Sequence, residues 1–201
     1  EALAEEWLAC PVGRIPLLPE EMERLRRRIE TDDAVKAVWE DTCAVADAFL
    51  AEAPGPLVAT PLSEYHNNPE ATVNNNRAAR FTAGWFACAW KAALAEDGAA
   101  LERAGQCLEM IVRAHGENNG VRITPDPKSP PYYAYYIATR SFEPELLIGR
   151  VELMRSAGYA DCGVLAGLVE RLVFLAGLAG EGCEALHDRD ETYWNGDACC
   201  G

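Results

Sequence analysis

From Pro19 onward, apolar residues return every three or four positions, the period of one helix face. Pro19 followed by Glu20 and Glu21 marks a helix start, because proline is tolerated in a first turn and acids suit the positive dipole end. Met22, Leu25 and Ile29 then share one face, with Arg24, Arg26, Arg27 and Arg28 mostly on the other. Thr31-Asp32-Asp33 offers a cap for the next helix, in which Val35, Val38, Trp39, Thr42, Val45, Ala46, Phe49 and Leu50 recur at helical steps. Pro54-Gly55-Pro56 ends that helix, and residues 54–75 read as a long polar connection rich in Pro and Asn. Helical spacing resumes at Phe81, Trp85, Cys88, Ala89 and Ala92 and stops near Asp97-Gly98. A further helix follows at once, with Leu101, Ala104, Leu108, Ile111, Val112 and His115 on one face, so the two form an αα-hairpin.

Residues 116–131 form another turn-rich loop, and 132–139 a short helix. Leu146, Leu147, Val151 and Met154 mark one more helix. Val164, Leu165, Leu168, Val169, Leu172 and Leu175 mark the next, closed by Gly180 to Gly182. No stretch alternates as a strand does. The expected fold is therefore all-α, with six or seven helices in successive antiparallel hairpins joined alternately by short and long loops. That alternation suits a toroid or solenoid of helical hairpins, whose long loops gather on one face and build a site there. No fixed repeat of the TPR or HEAT kind is present.

Length and charge narrow the functions. The 201 residues fit one domain, residues 1–201, with ordinary globular proportions of 49% hydrophobic and 25% charged residues. Eighteen basic against thirty-two acidic residues leave a net charge of −14, which works against nucleic-acid binding. An acidic ligand would need a locally basic cleft. The longest apolar stretch, Leu172 to Ala179, is far short of the ~20 residues that span a bilayer, so no membrane insertion is expected. Of eight cysteines, none forms a CxxC pair, and Cys43, Cys88 and Cys107 fall inside helical patterns as small, reduced, buried apolar residues. The start at Glu1 and the stop at Gly201 lead to the expectation of a processed or truncated piece of a longer protein.

Candidate chemistry is sparse. HExxH, Walker A, GxSxG and a post-strand GxGxxG are all missing, and neither a metal nor a cofactor is expected. His115 lies at a helix end, where an imidazolium complements the carbonyls, and His187 sits in a charge run that reads as a solvated face. His66 follows Tyr65 in the long loop, as a solvated histidine or as a contact to a sugar or carboxylate. Asn67-Asn68 and Asn74-Asn75-Asn76 share that loop, and Arg77 and Arg80 follow at the next helix start. Amides suit hydroxyl-rich ligands and Arg forks suit carboxylates; turn chemistry and capping explain the same residues. Tyr132, Tyr133, Tyr135 and Tyr136, and Tyr193-Trp194, offer flat platforms for sugar faces. Nothing near any tyrosine marks it as a general base.

Three stretches together resemble the heparinase II/III-like (alginate lyase-like) polysaccharide lyases. These are Arg14 to Ile29 with the Trp39 helix after it, the Arg80-to-Glu117 hairpin, and Tyr193-Trp194-Asn195-Gly196-Asp197-Ala198-Cys199-Cys200-Gly201. Trp194, Asn195 and Gly201 match the family's Trp-Asn segment, while Gly196 and Asp197 replace bulkier residues and no His follows Asn195. The resemblance implies the N-terminal portion of an incomplete (α/α) toroid, in an enzyme that cleaves uronic-acid polysaccharide by β-elimination. It implies Asn195 as the catalytic group that neutralises the uronate, with Tyr65, His66, Arg77, Arg80, Tyr193 and Trp194 binding the anionic polysaccharide. The family's Tyr and His lie on later helices and a β-sandwich, so the piece alone would be inactive. Such lyases are periplasmic or secreted, whereas the unpatterned cysteines fit a reducing cytosol equally. Two other readings stay open: a non-catalytic α-helical carbohydrate-binding or scaffold domain, and an (α/α) toroid glycoside hydrolase. For the hydrolase, Asp188, Asp190, Glu191 and Asp197 supply acids without fixing a pair.

Overall fold

In the computed structural model, residues 2–10, 19–52, 69–117 and 144–173 are described, and seven α-helices with no strand occupy them. They are α1 (Ala2–Ala9), α2 (Pro19–Thr31), α3 (Asp33–Ala51), α4 (Pro69–Ala95), α5 (Gly98–Glu117), α6 (Pro144–Ser156) and α7 (162–173). The short helix expected over 132–139 lies outside the described residues, as do Leu175 and the glycines after it.

The joints follow from local chemistry. Asp32 alone separates α2 from α3, and its Oδ1 accepts the amides of Ala34 at 3.1 Å and Val35 at 3.3 Å. Between α4 and α5, Glu96 takes a left-handed φ of 55° and Asp97 caps α5 by accepting the Ala100 amide at 3.0 Å. At the end of α6, Gly158 (φ 95°) permits a Schellman turn: the amides of Tyr159 and Gly158 donate to the carbonyls of Met154 and Arg155. Asp161 then accepts the amides of Gly163 and Val164, each at 3.0 Å, and starts α7.

α4 is the hub, packing on α3, α5 and α6. Phe81, Trp85, Cys88, Ala89 and Ala92 are all buried, so the spacing read along this helix is its core face. Against it lie Ala104, Cys107 and Leu108 of α5 and Leu147, Val151 and Met154 of α6, with Leu165 and Leu168 of α7 completing the cluster. The five described cysteines are free thiols; Cys88 and Cys107 are fully buried, and burial pushes them up to about 11 and about 12.

Three arginines tie these helices end to side. The last carbonyls of a helix have no partner within it, and a cation suits the negative dipole end. Arg26 of α2 donates to the carbonyls of Ala93 (2.9 Å) and Leu94 (3.3 Å) at the end of α4. Arg103 of α5 donates to Phe49 (2.7 Å) and Glu52 (2.8 Å) at the end of α3. Arg155 of α6 donates to the Cys10 carbonyl at 3.0 Å, just past α1.

Two expectations are corrected. α4 starts at Pro69, so residues 69–75, including Asn74 and Asn75, are helical, and so is Asn76; they do not belong to the polar connection. Proline is well placed at a first helical position, and three asparagines cost a helix only about 0.7 kcal/mol each, which the buried half of α4 outweighs. Arg77 and Arg80 therefore lie more than two turns inside α4, not at its start. In α3, Val38 and Val45 point outward, 67% and 45% exposed, because its inward stripe runs through Val35, Trp39, Ala46 and Phe49.

An ionic joint gives a first prediction. Lys91 of α4 pairs with Asp47 of α3 and, at 3.1 Å, with Asp97. Accepting the Ala100 amide, and then the Lys91 ammonium, holds the Asp97 carboxyl below its ordinary 3.8. A depressed carboxylate contributes stability that is present above its unfolded pKa and lost as pH falls through the folded one. Asp97→Ala should cost about 1 kcal/mol at neutral pH, as for other lost caps. The difference from the wild type should shrink below about pH 4 in urea melts. A pH-independent difference would show that the carboxylate charge is not involved.

Candidate functional site

Two places along α4 bring described polar side chains from several helices together. The first is where its N-terminal half meets the end of α3. Arg80 is exposed and donates to Glu52 Oε1 at 3.1 Å, while Arg103 donates to the Glu52 carbonyl and lies 5.6 Å from the Phe49 ring centroid. Two guanidinium groups thus converge on one residue, and Arg77 precedes Arg80 by three positions on the same helix.

The second place is about 18 Å along the helix axis from Arg80, near Ala92. A trough of about 270 Å³ is lined there by Arg26, Glu96, Asp97, Gly98, Leu101 and Ser156, among others. Next to it, sharing Gly98 and Leu101, a groove of about 360 Å³ runs between α5 and the start of α7. Its walls carry Glu102, Gln106, Glu109, Tyr159 and Asp161. Gly105 makes room for the Tyr159 ring, since a Cβ there would lie 2.9 Å from Cε2. Burial, with the charges of Asp161 and Glu109 adding to it, pushes the Tyr159 phenol up to about 12. At neutral pH it is a hydrogen-bond donor, not a base. The carboxylates of Glu102, Glu109 and Asp161 make this groove locally acidic, whereas Arg80 and Arg103 bring two positive charges to the other corner.

A buried ionic cluster lies on α6. Glu152 Oε1 accepts both the Trp7 indole N–H and Arg155 Nη1, each at 2.7 Å, and the Arg155 guanidinium sits 5.8 Å from the Trp7 ring centroid. Arg150 lies over Trp85 at 5.3 Å and over Phe86 at 5.2 Å. These contacts hold α1, α4 and α6 together and are closed to a ligand, as Glu152 and Arg155 are 7% and 5% exposed.

Of the seven site residues expected, Arg80 is placed with its contacts and Arg77 is placed on α4 by its backbone. Tyr65, His66, Tyr193, Trp194 and Asn195 lie outside the described residues, as do His187, the four tyrosines of 132–136 and the acids of 188–197. His115 falls in the last turn of α5, as expected. Reading the sequence missed Tyr159 and its groove; the only signal is a tyrosine between the turn residues Gly158 and Asp161, and Gly105 beneath it is distant in the chain. Among the described residues no cluster of His, Cys, Asp and Glu is arranged to hold a metal ion, and no helix is long and apolar enough to cross a membrane. Compared with protein-family models, with curated proteins and with solved structures, the chain finds no match in any of the three. Among the described residues the fold is all-α, with a basic corner at Arg80 and Arg103 and an acidic groove beside Tyr159.

Proposed function

We propose that the chain is the N-terminal portion of an (α/α) toroid in a polysaccharide lyase, exported to the periplasm or beyond the cell, that cleaves a uronic-acid polysaccharide by β-elimination. The observation that carries this reading is the Arg80–Arg103 corner at Glu52, with Arg77 one turn earlier on α4. On a chain of net charge −14, it is a locally basic place of the kind an anionic sugar needs. The hairpin of α4 and α5 and the α2–α3 pair supply helical walls of the kind such toroids use, and they coincide with the two N-terminal stretches that resemble the family.

In such a reaction the uronate carboxylate is neutralised, which acidifies the proton α to it. A base takes that proton, its electron pair forms the new C=C bond, and the β C–O bond breaks with protonation of the leaving oxygen. Arg77 and Arg80 bind and orient the carboxylate, and Asn195 neutralises it at the scissile unit. Tyr65, His66, Tyr193 and Trp194 contact the sugar rings. Tyr159, held protonated, takes no part as a base.

The test is titration of the chain with a tetrameric uronate oligosaccharide and with a neutral tetramer of glucose. Arg80→Gln is expected to weaken uronate binding about tenfold, the loss of one charge-assisted hydrogen-bonding fork. The longer enzyme should release products with the ultraviolet absorbance of an unsaturated uronate. Equal affinity for the two tetramers would sink the proposal. A second reading, a non-catalytic α-helical carbohydrate-binding domain, is favoured by the Tyr159 groove, where a flat ring, an amide and carboxylates face one space. Binding of the neutral tetramer that is lost in Tyr159→Ala and kept in Arg80→Gln would select it.

A further inference from the structure

We propose that the groove between α5 and the start of α7 binds a linear aliphatic polyamine, laid along α5 from Glu102 to Glu109. The lyase reading rests on the Arg80 corner and makes no use of this groove, so the two stand or fall separately. Half-buried Leu101, Tyr159 and Val164 line the groove with Gly105, and the exposed acids Glu102, Glu109 and Asp161 stand at its edge. Among the described residues no basic side chain lines it. At about 360 Å³ it is near the lower end of small-molecule sites.

The spacing of the acids selects the occupant. Glu102 and Glu109 are one heptad apart on α5, which returns them to one face within about 20° and separates them by about 10.5 Å along the axis. A metal ion needs its oxygen ligands within about 2.6 Å, so this spacing suits two cationic groups better than one ion. An extended chain advances about 1.25 Å per bond, so two ammonium groups nine bonds apart, as at the ends of spermidine, stand about 11 Å apart. Each end then meets one glutamate.

The middle of the groove fits the same ligand. Gly105 lies midway between the two glutamates, and the Tyr159 ring rests there, so close that a Cβ at Gly105 would stand 2.9 Å from its Cε2. The central ammonium of a triamine falls beside that ring, a cation–π position. Asp161 supplies the third carboxylate, near enough for its charge to act on the Tyr159 phenol. The methylenes between the ammonium groups cover Leu101 and Val164, and the net charge of −14 draws the polyamine in.

Calorimetric titration of the whole 201-residue chain with spermidine at low salt tests this. One molecule should bind per chain, and physiological salt should weaken it severalfold. Glu102→Gln combined with Glu109→Gln should weaken binding about tenfold, roughly threefold for each exposed ion pair. Tyr159→Leu should weaken it about threefold. The overall charge alone also attracts a polyamine, so a control removes two exposed acids elsewhere: Glu40→Gln with Asp41→Asn on α3 should leave the affinity unchanged. Both pairs change exposed side chains, and circular dichroism should show wild-type helicity in each. Length is tested at constant charge: the terminal diamine of octane should bind at least about fivefold more tightly than that of propane, which reaches only one glutamate. The proposal is overturned if spermidine does not saturate a single site, if the control pair weakens binding as much as the groove pair, or if the two diamines bind alike.

Discussion

Replacing Glu152 with alanine is expected to cost about 3–5 kcal/mol of folding free energy, the range found when one partner of a buried ion pair is removed. Glu152 Oε1 accepts two donors at 2.7 Å, the Arg155 guanidinium and the Trp7 indole, and both ionic partners are nearly inaccessible to water. Alanine leaves the Arg155 charge in the interior without that carboxylate and removes the acceptor of the half-buried Trp7 indole donor. For a chain of about 200 residues this corresponds to a fall in Tm of roughly 10 °C. The whole ion pair is worth less than either half. Glu152→Leu combined with Arg155→Met should therefore be milder than Glu152→Ala alone, because neither charge is then stranded. Thermal melts followed by circular dichroism compare the two variants. Amide exchange supplies a local readout: both variants should expose residues 2–10, since Trp7 loses its acceptor on α6 in both and the Cys10 carbonyl also loses its Arg155 donor in the double variant. A single variant no worse than the double would show that water reaches this cluster.

How much of this was legible in the sequence depends on the reach of each signal. Asp32 and Asp97 announce their helices because a cap acts over two or three residues, and the core faces of α4, α6 and α7 follow from local period. α1 gave no such signal. Eight residues are too few for a periodic stripe, and its anchor, Trp7 to Glu152, spans 145 positions. Arg26 reads as part of a polar face until the end of α4 is beside it, when its role becomes the capping of Ala93 and Leu94. Val38 and Val45 are apolar and helically spaced, so periodicity alone puts them inside; only the position of α4 on one side of α3 decides that they face out. The site shows the same division. Arg77 and Arg80 are singled out by residue type alone, but the convergence of Arg80 and Arg103 on Glu52 is a tertiary fact. The Tyr159 groove depends on Gly105, which no motif connects to it.

Gly84→Ala is expected to be the most damaging single methyl in the α3–α4 contact. A Cβ at Gly84 would lie 2.3 Å from Phe49 Cγ and within 2.8 Å of both Cδ atoms, so the ring cannot stay where it is. Nor can it swing away freely. Phe49 meets Phe81 edge to face with centroids 5.9 Å apart, and Arg103 lies over its ring while binding its carbonyl. Helix propensity pulls the other way, since alanine gains about 1 kcal/mol over glycine in a helix interior. Overpacking of this kind costs about 1–3 kcal/mol, and with the ring held on two sides the upper end applies, leaving a net loss of about 2 kcal/mol. The cause can be isolated by a double-mutant cycle. Phe49→Leu alone loses ring contacts, but in the Gly84→Ala background it also relieves the clash, so the double variant should be more stable than the two single losses predict, by at least 1 kcal/mol. Urea melts of the four proteins measure that coupling. Additive losses would mean that α3 and α4 move apart to admit the methyl. The Arg103 clamp on Phe49 and Glu52 would then be the contact that gives way.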